Sequence, residues 1–163
     1  MREATKRTLI ILSIITALLG ASGATYAIRY YSATFTYQIK PIASATWNSD
    51  PYDLGILLAG DSGTKTYVDA LTVQLNKPDW ININFAIDGN LTELKTVFNM
   101  LRITIKDSGG VRASLDLDDP QAVYSVQGIQ TITFTVVIDY TVDEEAQETS
   151  GQFHLNVWFT TQS

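Results

Sequence analysis

The residue types that could do chemistry in this chain are few, and their spacing argues against catalysis. Gly60-Asp61-Ser62-Gly63 copies the heart of the chymotrypsin-type serine motif. A serine hydroxyl becomes a nucleophile only with a base in reach. The single histidine, His154, lies downstream of that serine inside a strand-like stretch, whereas the serine-protease order needs it upstream. A Gly/Asp/Ser turn between strands explains the four residues better. Lys65 does not directly follow a glycine, and a strand pattern rather than a helix comes next, so a phosphate loop fails too. One histidine cannot make the two-histidine helical motif of the common zinc proteases.

Two acidic groups carry the remaining chemistry. Asp116-Leu117-Asp118-Asp119 puts Asp116 and Asp118 on one side of an extended segment, and Asp143-Glu144-Glu145 crowds three carboxylates into a loop. Calcium takes six to eight oxygens at about 2.3–2.6 Å. Asp116, Asp118, Asp119, Glu144 and Glu145 are therefore candidate calcium ligands, against the plainer reading of two solvated turns. No cofactor is required by anything in the sequence. Asn90-Leu91-Thr92 is a glycosylation sequon, and Asn90 also has a structural reason to be there as a helix cap.

The elements that must position these residues begin with a leader. Arg2, Lys6 and Arg7 precede the apolar run Leu9 to Leu19, small residues follow from Gly20 to Thr25, and a cut is expected after Ala27. That is the layout of a secretion signal over residues 1–27. Removing Arg2, Lys6, Arg7 and Glu3 from the 11 basic and 17 acidic residues leaves 8 and 16, a formal charge of −8. The remaining basic residues are scattered singly, which excludes a phosphate-binding surface and hence nucleic acid. The cysteine count is zero, so an exported domain of this size must draw its stability from its core, its oligomer or bound ions.

After Ala27 the chain reads as strands. Tyr31, Ala33, Phe35, Tyr37 and Ile39 alternate with Ser32, Thr34, Thr36, Gln38 and Lys40. A short apolar run follows at Leu54 to Ala59. Thr66 to Leu75 alternates with one slip that fits a bulge, and Trp80 to Ile87 alternates cleanly. Asn90 to Met100 has helical spacing at Leu91, Leu94, Val97 and Leu101, with Asn90 and Glu93 placed as a capping pair. Strands are expected again at Leu101–Lys106, Val111–Leu117, Ile129–Val142 and Gln152–Thr160, with a hairpin signal at Asp107-Ser108-Gly109-Gly110. The expected fold is all-β: an antiparallel β-sandwich, jelly-roll-like or immunoglobulin-like, with one short mid-chain helix and a leading N-terminal strand. The expected organisation is a signal at 1–27, a leading strand at 28–40 and a sandwich domain at 41–163.

The order of these elements, with the helix-to-strand segment Asn90 to Ile105 and the Asp-Pro segment Ser114 to Val123, resembles a known family. It is similar to the archaeal extracellular filament proteins, the bundling-pilus subunits and cannula-forming proteins. These are in turn similar to the bacterial biofilm-matrix proteins TasA and camelysin. The resemblance spans Ile28 to Ser163 and rests on element order rather than a strict motif. It implies a secreted, non-enzymatic structural subunit of a cell-surface filament or pilus, acting in adhesion, cell–cell connection or biofilm matrix. Its partners would be identical subunits and neighbouring filaments, with a membrane met only during export. Camelysin relatives have been classed as peptidases, which a chain with one histidine and no zinc motif does not inherit. The resemblance further implies donor-strand complementation, in which Tyr31, Ala33, Phe35, Tyr37 and Ile39 of one subunit fill a groove in the next. Calcium assists assembly in some members.

Two other readings use the same residues. Type IV pilins and archaellins retain their apolar helix after a cut beside a basic residue, and Lys6-Arg7-Thr8-Leu9 offers such a site. Gly20, Gly23 and the β-pattern from Tyr30 oppose it. A membrane-tethered binding module could use Trp47, Trp80 and Trp158 as a platform for sugars. Leu9 to Leu19 is short for a span of about 20 residues.

Overall fold

The computed structural model describes residues 38–162. The expected signal, the Lys6-Arg7 site and Tyr31, Ala33, Phe35 and Tyr37 lie outside them. Eight strands and one helix follow in order: β1 (Ala43–Trp47), β2 (Ser62–Leu75), β3 (Trp80–Asp88), α1 (Leu91–Val97), β4 (Phe98–Asp107), β5 (Gly110–Asp116), β6 (Gln121–Gln127), β7 (Gln130–Val142) and β8 (His154–Thr161). They form a five-stranded sheet in the order β1-β2-β7-β4-β5 and a three-stranded sheet in the order β6-β3-β8. Every pairing is antiparallel. The expected all-β sandwich with one short helix is what forms.

Alternation explains the sheets. Ile81, Ile83, Phe85 and Ile87 of β3 all face inward and are buried, as are Leu101, Ile103 and Ile105 of β4. Phe134 of β7 is fully buried at the centre, edge-on to Phe85 at 6.1 Å and to Tyr124 at 6.2 Å. No polar or charged side chain is buried among the described residues. The slip in β2 is a bulge between Tyr67 and Leu71. Asp69 takes a φ of 52° there, a left-handed conformation that Asp tolerates better than most residues. Asn76, just after β2, holds the chain just before β1, donating its backbone N–H to Ile42 O and its side-chain amide to Pro41 O.

The helix is shorter than its apolar spacing predicts. Asn90 caps it through the Glu93 N–H, and the Asn90 side-chain amide donates to the Glu93 carboxylate. It stops at Val97, because Phe98 turns extended (φ −118°, ψ 121°) and enters β4. Phe98, Asn99 and Met100 are strand. Leu54 to Ala59 is not a strand; Leu54 and Leu57 pack half-buried against the core while Ile56 and Leu58 point outward.

The Gly60–Gly63 turn is shorter than expected, since Ser62 and Gly63 already belong to β2. Gly63 serves packing. A Cβ on it would sit 2.7 Å from the Tyr140 hydroxyl and 2.9 Å from its ring. Gly63→Ala is expected to destabilise the domain by about 1–3 kcal/mol through overpacking. A thermal melt checks this, and an unchanged midpoint would show that Tyr140 moves aside freely.

Candidate functional site

The two sheets leave the sandwich with two lateral sides, and these differ. On one side β5 turns directly into β6, carrying the chain from the larger sheet to the smaller. Arg112 of β5 places its guanidinium 5.3 Å from the centre of the Tyr124 ring of β6 and donates to Asp107 at 2.8 Å. That cation–π contact and ion pair shut this side.

On the other side stand β1 and β8. The inward rows thin out strand by strand. Ile83, Phe85 and Ile87 of β3 are buried, whereas Phe159, Val157 and Leu155, their partners on β8, are only half-buried. In the larger sheet, Ala45 of β1 shares a face with the fully buried Val73, yet it is exposed. An inward apolar row that stays half-wet lacks a neighbour. The segment before β2 fills part of this side. Tyr52 packs on Trp47 and Tyr67 at 6.0 and 4.8 Å and donates to Ala70 O at 2.8 Å. Beyond it, the outer edge of β8 pairs with no strand among the described residues. Ile39, the one member of the leading row that is described, is 84 % exposed.

The acidic groups fall into separate turns. Asp116 accepts from the backbone N–H groups of Asp118 and Asp119 at 2.9 and 2.8 Å, and Asp118 pairs with Lys95 at 2.8 Å. Asp119 donates there only through its backbone. Asp143 accepts from the Glu145 N–H at 2.7 Å, and Glu144 lies beside Gly60. No group of three or more carboxylates or imidazoles suited to a metal forms among the described residues. Asn90 is exposed and engaged in its cap.

The Ser62 and His154 pair is not assembled. Ser62 lies on the five-stranded sheet opposite Thr141, and His154 on the three-stranded sheet opposite Asp88. The Asp61 carboxylate accepts from the Leu58 N–H, fixing the turn. The three tryptophans do not share a platform. Trp47 packs against the core, whereas Trp80 and Trp158 lie exposed on the outer face of the smaller sheet. No described helix is long and apolar enough to cross a membrane.

Two carboxylates contribute to the acid behaviour. The Arg112 hydrogen bond holds Asp107 below the usual carboxylate range, and the Asp119 and Asp118 amides do the same for Asp116. A group with a depressed folded pKa stabilises fully above its unfolded value, about 3.9 for Asp, and loses that contribution as pH falls through the lower folded value. Stability is therefore expected to fall in acid, below about pH 4. Asp107→Asn and Asp116→Asn should each flatten that limb in melts taken from neutral to acidic pH. An unchanged slope would exclude them as the titrating groups.

No known protein-family model matches this chain, and no curated protein is similar to it. The functional reading rests on the residues and their arrangement.

Proposed function

We propose that this chain is a secreted structural subunit that polymerises into an extracellular filament by donating its leading strand to a neighbouring copy. One observation carries the reading: a sandwich closed on one side and only partly covered on the other follows a segment, Tyr31 to Ile39, with the alternation of a strand and an exposed last member. Strand addition draws affinity from backbone pairing and specificity from alternate side chains in pockets. It also hides an edge that would otherwise aggregate.

The joint needs no catalyst, disulfide or ion. Burying Tyr31, Phe35, Tyr37 and Ile39 at about 1.5–3 kcal/mol each contributes roughly 6–12 kcal/mol of gross apolar gain per joint, before the costs of ordering and association. Secretion, surface location and homopolymeric partnership belong to the same reading, as do the family resemblance and a non-enzymatic role. The test is electron microscopy of secreted material from cells expressing the full chain. Thin filaments containing only this protein are expected. A monodisperse monomer at high concentration would contradict the reading.

A further inference from the structure

We propose that the acceptor is the outer edge of β8, and that its occupant is residues 31–39 of a second copy of this chain. This rests on the strand-donation reading and adds to it the receiving strand and the direction of entry.

Four strands end the two sheets: β1, β5, β6 and β8. β5 and β6 meet on the side that Arg112 and Tyr124 shut. β1 offers only five residues, and Ser44, Ala45 and Thr46 at its centre are exposed. β8 offers eight residues, long enough to take most of a strand from Tyr31 to Ile39. Its inward row of Leu155, Val157 and Phe159 continues the buried row of β3 outward and stops half-covered. A donor there would set its Tyr31, Ala33, Phe35, Tyr37 and Ile39 row beside those three. Its Thr34, Thr36 and Gln38 would continue the outer row of His154, Asn156, Trp158 and Thr160.

Connectivity favours a second copy over the chain's own segment. Ile42 and Pro41 are pinned to Asn76, and β1 starts at Ala43 opposite Leu75. The short link from Leu75 to Trp80 puts this start at the Thr161 end of β8, since Ile81 pairs with Thr161. A strand fed from its own chain therefore has three residues, Lys40 to Ile42, in which to turn. It would have to run parallel to β8, whereas every pairing among the described strands is antiparallel, and it would bury Ile39, which is 84 % exposed. A strand from another copy carries no such tether and can enter antiparallel.

The absence of cysteine makes the test clean. In the full chain, Asn156→Cys would be combined in turn with Thr34→Cys, Thr36→Cys or Gln38→Cys. Matched controls would carry Ser44→Cys on β1 or Ser114→Cys on β5 in place of Asn156→Cys. Filaments would be oxidised mildly and run without reductant. A ladder of linked oligomers from at least one Asn156 combination, with none from the controls, is the expected result. Filaments that link through Ser44 or Ser114 would overturn the β8 assignment while leaving strand donation intact. Linkage within single chains would overturn the second-copy occupant. Amide exchange on the unsubstituted chain decides the matter if the cysteine variants do not assemble. Residues 154–161 should gain protection in filaments over dissociated subunits, and protection gained at β1 or β5 instead would overturn the proposal. If the unsubstituted chain forms no filaments at all, the strand-donation reading itself falls.

Discussion

Deleting residues 28–40 is expected to abolish filaments and leave soluble monomers or disordered aggregate. The deletion removes every donor side chain assigned to the joint and leaves the β-sandwich strands from Ala43 onward in place. The lost gross apolar gain, roughly 6–12 kcal/mol per joint, is of the same order as the cost of association, so without it the joint has no net driving force. Aggregate would arise because β8 keeps an unpaired edge with a half-covered apolar row, the situation that edge strands must avoid. Phe35→Asp is the sharper variant, since it leaves chain length intact and would place an unpaired charge in an apolar joint. Light scattering and electron microscopy read both. Filaments of normal yield and appearance from the deletion variant would show that the leading strand is not the link.

Phe134→Ala is expected to have the largest effect on the subunit itself. Phe134 is fully buried and is the one side chain in edge-to-face contact with both Phe85 of β3 and Tyr124 of β6, so it ties the two sheets together from the middle strand of the larger one. Truncating a buried Phe costs about 3–5 kcal/mol through lost transfer energy and the cavity left behind. Against a total stability of about 5–15 kcal/mol this is a large fraction. The thermal midpoint should drop by on the order of 10–20 °C, and denaturant unfolding should shift to match. A drop below about 1 kcal/mol would mean that the sheets repack around the gap.

The sequence made the interior legible and the margins obscure. β3 reads correctly because Ile81, Ile83, Phe85 and Ile87 fill one face and Asn82, Asn84 and Ala86 the other. The bulge in β2 was visible as a slip in alternation, and the Asn90 cap as a Glu93 three residues on. The edge strands were harder. Ala43-Ser44-Ala45-Thr46-Trp47 is short and mostly small residues, so its alternation is weak and β1 resembles a linker. Gln121 to Gln127 is polar on its outward row, and β6 was visible only within the Asp-Pro segment. Val97, Phe98 and Leu101 fit helical spacing yet also suit the strand that Phe98 begins, and the backbone chose the strand. Gly63 has turn chemistry in its type alone; its role depends on Tyr140, far away in sequence. The segment proposed as donor could be read from its alternation. The acceptor half could not, because a half-buried row on β8 looks the same in sequence as a buried one.

The most direct test of strand donation is the mass of the N-terminal peptide of the subunit in native assembled material. The account predicts a chain beginning at Ile28, which frees the strand from Tyr31 to Ile39 to leave its own domain. A chain beginning at Thr8 would contradict it, because the apolar helix would then be retained as the filament core. An intact Met1 would contradict it as well, tying the strand to an anchor in place of a neighbour.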